Sequence, residues 1–288
     1  YVMGNRLGIF VIAIATFMLF AYQQAFGASL NFYSNAVLVP YATFSSSSAT
    51  TVAGIVVKEA GTIYWTFFDQ DGGHIDSGSF SVTANQMYPF IWSIEGDPSL
   101  AGTEGYLLFT IDTNADVVID TNDGNSMSIN SFYVDTSTSD VAYIPTVMVD
   151  DSGLTTTDPT TYEIALLAWA ALGYGAVSGV VLDMRYYIDG SAGGEDTGIV
   201  IWTCLDPGST QSVTMYDTNS NYKVVDMDTS RSRMNIIDPE AIADRPASFL
   251  DGYIRWTVPP GASCAYSFSI IHTSAFGAIQ TLMAGWGF

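Results

Sequence analysis

Five oxygen-bearing side chains recur in one twelve-residue stretch, DTNADVVIDTND, residues 112–123. Asp112, Asn114 and Asp116 stand at positions 1, 3 and 5, Asp120 at 9 and Asp123 at 12. Calcium takes about six to eight hard oxygen ligands, and a short loop supplies them when every second carboxylate or amide points inward. The backbone carbonyl of Val118, at position 7, would complete such a set. Ca2+ is therefore the one cofactor the sequence suggests.

The same twelve residues resemble the calcium loop of dockerin modules and EF-hands. Ile119 sits where those loops carry an apolar anchor, and an aspartate at position 12 is closer to the dockerin form. The resemblance implies that Asp112, Asn114, Asp116, Val118, Asp120 and Asp123 ligate the metal. It covers this loop alone and departs from the pattern at position 6, where Val117 replaces the glycine of a sharp turn. The residues that follow, DGNSMSINSFYVD, read as turn and strand instead of helix. The competing reading is a solvated turn, because Asp and Asn favour turns through hydrogen bonds to their own backbone.

A second grouping involves arginine, which is scarce here. Arg185 lies in DMRYYIDG and Arg255 in GYIRWT, each beside aromatic residues. Ion pairs with Asp183, Asp189 or an acid of a neighbouring strand are the structural reading. The functional one is a sheet face on which Arg185, Tyr186, Tyr187, Arg255 and Trp256 stack on and hydrogen-bond a sugar. Trp65 and Trp92 read as core. His74 and His272 stand without an accompanying nucleophile or ligand motif, and the chain has no GxSxG, HExxH, P-loop or strand-linked GxGxxG. No carboxylate pair can be singled out for glycoside hydrolysis; Glu95, Glu104 and Glu163 have no distinctive surroundings. These features argue against an enzyme. Cys204 and Cys264 form a disulfide or remain two buried thiols, and their spacing decides neither.

The elements that must position these residues are strands. Short β-branched and aromatic runs such as TIYWTFF, SFSVTA and YLLFTI are bounded by Gly, Asp, Asn, Ser and Pro, the pattern of antiparallel strands joined by tight turns. DQDGG, residues 69–73, supplies the Asp-Gly and Gly-Gly pairs of a hairpin turn. Four anchors recur in one order: LVPY (38–41) with DMRY (183–186), GIVV (54–57) with GIVI (198–201), TFFD (66–69) with TMYD (214–217), and EGYLLFT (104–110) with DGYIRWT (251–257). Near-constant separations make these two homologous modules. The expected fold is all-β: two tandem antiparallel β-sandwiches, residues 28–150 and 178–288, with a linker and short helix at 151–177. Asp158-Pro159 would start that helix, residues 163–172 continue it, and Gly173 and Gly175 end it. An outer-membrane barrel is the other architecture considered, because Leu282, Ala284, Trp286 and Phe288 alternate at the chain end.

Residues 7–22 are almost wholly apolar and follow Arg6, and Ala25 and Gly27 stand at −3 and −1 of a cut before Ala28. Residues 1–27 thus read as a signal peptide starting at Met3, with Tyr1 and Val2 upstream of it. The alternative is a retained anchor, but the run falls short of the roughly 20 residues of a spanning helix. The net charge of −21 repels phosphate backbones, which excludes nucleic acid as a partner. The expected function is non-catalytic: an exported structural, adhesive or matrix protein of the periplasm, cell surface or extracellular space, without a membrane span in its mature chain. Its expected partner is a surface glycan or another protein. A carbohydrate-binding module and the outer-membrane barrel are the alternatives.

Overall fold

The computed structural model describes residues 33–45, 49–116, 119, 123–137, 139–149, 176–189, 197–262, 264–273 and 278–287. Residues 34–288 form one compact unit. Its first half holds strands β1 (Ala36–Thr43), β2 (Ala49–Val57), β3 (Gly61–Asp69), β4 (His74–Val82), β5 (Met87–Ile91), β6 (Glu104–Asp112), β7 (Met127–Asp135), β8 (Asp140–Ile144) and β9 (Val147–Val149), with a one-turn helix α1 (Trp92–Glu95). The second half holds β10 (Ala176–Val177), β11 (Val181–Tyr187), β12 (Thr197–Thr203), β13 (Thr210–Asp217), β14 (Tyr222–Asp228), β15 (Met234–Ile237), β16 (Asp251–Thr257), β17 (Cys264–Thr273), β18 (Ala278–Met283) and β19 (Gly285–Gly287). Ala176 and Val177, expected at the end of the linker, are therefore strand. The expected helix at 163–172 and the apolar run at 7–22 lie outside the described residues.

Four antiparallel sheets result. Sheet I has the order β5-β2-β7-β8 and sheet II β4-β3-β6-β1-β9; sheet III has β10-β17-β12-β15, with β18 also on β17, and sheet IV β14-β13-β16-β11-β19. Each is open, with two edges among the described residues, unlike the closed barrel that was the alternative. Sheets I and II enclose one apolar core and sheets III and IV a second, so the fold is all-β and built as two sandwiches. In the first core Trp92 is fully buried, with Phe67 at 4.6 Å and Trp65 at 5.6 Å between ring centroids.

Strand by strand, sheet IV repeats sheet II, and β15-β12-β17-β18 of sheet III repeats sheet I. The register repeats as well. Leu38 pairs with Leu108 where Asp183 pairs with Arg255, and Phe68 pairs with Tyr106 where Tyr216 pairs with Tyr253. The turn after β3 recurs after β13. Asp69 accepts from the amides of Asp71 and Gly73 at 2.9 and 2.7 Å, and Asp217 from those of Asn219 and Asn221 at 2.9 and 2.8 Å. Gly72 and Ser220 take the positive φ that this turn requires, 88° and 65°.

Burial explains the differing patterns along the strands. β11 alternates, because one face meets the core and the other water. β1 is buried at every position, and β6 at all but Glu104, as continuous apolar runs demand when both faces are covered. The cover comes partly from sheet III. Ile199 and Ile201 of β12 point into the second core, whereas Val200 and Trp202 join the first, with Met234, Phe268 and Ile270. Trp202 meets Tyr106 edge to face at 5.8 Å. The β3–β4 turn then locks against the segment before β15: the Gln70 carbonyl accepts from the amides of Arg233 and Met234, and Asp71 bonds Arg231 and the Ser232 amide at 2.9 and 3.0 Å.

Two steric and electrostatic tests follow. A Cβ on Gly105 would lie 2.0 Å from the Phe68 carbonyl oxygen, and one on Gly252 would lie 1.8 Å from that of Tyr216. Gly105→Ala and Gly252→Ala should each cost at least about 2 kcal/mol in urea unfolding, since backbone, not a yielding side chain, stands in the way. Burial raises the Glu104 carboxyl above its usual range, although the Tyr41 hydroxyl, 3.2 Å away, partly offsets this. A raised folded pKa means stability that is present at low pH and lost as pH rises through that value. Glu104→Gln should therefore raise the melting temperature at pH 7, and the difference should vanish in acid, where Glu104 is already protonated.

Candidate functional site

The outer face of sheet IV follows from strand alternation. Asp183, Arg185 and Tyr187 of β11 point outward, with Asp251, Tyr253 and Arg255 of β16, Thr214 and Tyr216 of β13, and Tyr222 and Val224 of β14. Arg255 Nε and Nη2 reach the two Asp183 oxygens at 2.8 Å each. This two-pronged bond, foremost, lifts the guanidinium pKa further above its ordinary value. The same guanidinium lies 5.4 and 5.5 Å from the ring centres of Tyr216 and Tyr253. Those rings stack on each other at 4.7 Å and 11°. Arg185 pairs with Asp251 and donates to the Gly252 carbonyl at 2.7 Å.

Two residues expected on this face are not there. Tyr186 and Trp256 alternate inward, are buried, and belong to the second core. Adjacent strand residues face opposite ways, so neighbours in the chain cannot share a face with Arg185 and Arg255. Burial pushes the Tyr186 phenol up to about 12, and its hydroxyl donates to the Tyr216 carbonyl at 3.0 Å. Of the expected set, Arg185, Tyr187 and Arg255 do share the face, and Tyr253, Tyr216 and Tyr222 join them there. Tyr253 is legible two positions before Arg255; the other two arrive through cross-strand register, which the sequence does not display. Tyr216 and Tyr253 stack together, and the outermost ring of the row, Tyr222, is 69% exposed.

In the 112–123 stretch the described side chains bond within the loop. Asp112 is buried and its Oδ1 accepts from the Ala115 amide at 2.7 Å; Asp123 is buried and accepts from Thr113 at 2.8 Å. Asn114 and Asp116 bond each other at 3.0 and 3.1 Å. Ala115 adopts a positive φ of 62°, and Ile119 is buried in the first core. Val118 and Asp120 lie outside the described residues. Among the described residues no three His, Cys, Asp or Glu side chains come together as a metal group. The described residues 112–116 form an Asp-capped turn after β6, and the connection between β16 and β17 is shorter and contains the one-turn Pro260–Ala262 helix.

A third feature was not singled out in the sequence. A cavity of about 420 Å³ lies where Gln70 of the first half meets Asp226, Asp228, Arg231, Asn235 and Asp238 of the second. Asn235 is buried and held on both sides by the Arg231 backbone, at 2.9 Å each. The histidines are placed separately: His74 is exposed at the start of β4, and His272 of β17 packs edge to face with Tyr133 at 5.9 Å. Cys204 is buried and disulfide-bonded, and the chain has one other cysteine, Cys264. Among the described residues no helix is long and apolar enough to cross a membrane.

Because Asp112 already caps an amide, Asp112→Ala should lower stability by about 1–2 kcal/mol in calcium and in chelator alike, the cost of a lost cap. A melting temperature that rises with millimolar calcium, and no longer does so in the variant, would establish the cation-cage reading. No protein-family model and no curated protein matches this chain, so its function rests on the geometry of the chain itself.

Proposed function

We propose that the protein is an exported, non-catalytic structural or adhesive block of the periplasm or cell surface, in which two sandwiches act as one stiff body. The observation that carries this reading is the fusion of the halves through sheet III, whose β12 serves one core with Ile199 and Ile201 and the other with Val200 and Trp202. Domains joined by small polar interfaces move relative to one another; a large apolar contact suppresses that motion. A stiff block suits a spacer or a scaffold. The disulfide at Cys204 fits an oxidising compartment, and the strongly acidic composition keeps such a body soluble.

The outer face of sheet IV supports a second reading, the binding of a surface glycan. Tyr222 supplies an open ring on the same sheet face as the paired arginines, and aromatic faces with hydrogen-bond donors on the same surface hold sugars. Retention on a glycan array that Tyr222→Ala abolishes would establish this reading; a blank array would remove it.

Localisation decides the main proposal. Fractionation of the source cells, with a maleimide probe of thiols before and after reduction, should place the protein outside the cytoplasm with thiols that react only once reduced. Recovery in the cytoplasmic fraction with two freely reactive thiols would overturn it.

A further inference from the structure

The outer face of sheet I stands apart from an otherwise acidic protein. Alternation and register place Val52, Gly54 and Val56 of β2 on it, with Met87, Pro89 and Ile91 of β5, Ser128, Asn130 and Phe132 of β7, and Tyr143 of β8. No side chain in this set carries a charge at neutral pH. One row crosses all four strands as Ile91, Val52, Phe132 and Tyr143, and the last two rings meet edge to face at 5.7 Å. Met87 and Tyr143 are each 38% exposed, and Ile94 of α1, next to β5, is 71% exposed.

The internal repeat shows what such a face does. Val56, Met87, Ser128 and Asn130 stand at the positions that Val200, Ile236, Phe268 and Ile270 take in sheet III. Those second-half residues pack against the first core within the same chain. One copy of this face is therefore already an interface, and among the described residues the other meets no equivalent sheet. Head-to-tail continuation of the internal contact would lay sheet I of one molecule on sheet IV of the next. There, however, the aliphatic pair Leu38 and Leu108 of the receiving sheet is replaced by the ion pair Asp183 and Arg255. Burying that pair carries a desolvation cost.

We infer that sheet I is the contact between two copies of this chain, packed face to face about a two-fold axis. Such a pairing closes on itself. It is also an approach on which two molecules of net charge −21 bring uncharged strands together in place of carboxylates. Four strands about 4.8 Å apart and about seven residues long give a footprint of roughly 450 Å². That lies below the ~800 Å² per partner of a standard interface, so the dimer should form at micromolar and higher concentrations.

Sedimentation equilibrium of the full chain from about 1 to 200 μM, a range suited to a small interface, should show the mass rising from the monomer's 31.0 kDa towards twice that value. Phe132→Asp and Met87→Lys should each raise the dissociation constant at least tenfold while leaving circular dichroism and the melting temperature near those of the parent. Tyr222→Asp, on sheet IV, should leave association unchanged. A monomer across the whole range overturns the inference, as does association that neither sheet I variant weakens. Growth beyond the dimer that Tyr222→Asp blocks would also overturn it, in favour of head-to-tail stacking.

Discussion

The rest of the fold depends on the dry contact made by the odd and even residues of β12. A strand ordinarily hides one row of side chains and wets the other. Here Ile199 and Ile201 complete one sandwich while Val200 and Trp202 complete its neighbour, so neither core is closed without the same strand. Removing Trp202 would leave a gap in the first half although the residue belongs to the second. The Gln70 carbonyl and the Asp71 carboxylate fasten the rim of that contact. At half-exposed positions these polar bonds fix alignment more than they add energy.

The repeat makes the chemistry of each face interpretable by comparison within a single chain. Phe68 stacks on Tyr106 at 5.1 Å under the cover of Trp202, and Tyr216 stacks on Tyr253 at 4.7 Å in the open. The backbone arrangement and ring geometry are the same; what differs is the surrounding pair, Leu38 and Leu108 in one case, Asp183 and Arg255 in the other. Water access explains the exchange. An aliphatic pair gains from being covered, whereas a two-pronged arginine–aspartate bond tolerates solvent and keeps the aromatic rings from forming a bare apolar patch. Tyr41 and Tyr186 diverge similarly, the first donating to Glu104 and the second to a backbone carbonyl.

Much of the architecture was legible in the sequence because strand chemistry is local. Turn residues such as Asp69 to Gly73, the alternation in VLDMRYY and the ordered anchors in both halves lead to all-β modules and a duplication without any distant contact. The runs VLVPYAT and EGYLLFTI also carry a message, burial on both faces, but no local rule names the sheet that covers them. The arginine surface was half legible. Arg185, Tyr187 and Arg255 do share a face, yet the chain neighbours Tyr186 and Trp256 were grouped with them, and Tyr216 and Tyr222 enter only through pairing between strands. The 112–123 stretch is of another kind: the spacing of its oxygens suits a cation, while Asp112 and Asp123 each turn one carboxylate oxygen to an amide, three and ten residues away.

The double duty of sheet III also bears on how the chain is made. When the first half leaves the ribosome, Leu38, Phe68, Tyr106 and Leu108 stand on a surface whose cover, β12 and β17, has yet to be translated. At about 5–20 residues per second the remaining stretch takes roughly 6 to 25 seconds. Through that interval the nascent protein carries a naked apolar plate, and sticking to a neighbouring chain competes with waiting for its own second half. Biogenesis thus favours either a holding factor or spacing between ribosomes, a demand that the finished, strongly acidic molecule no longer reveals.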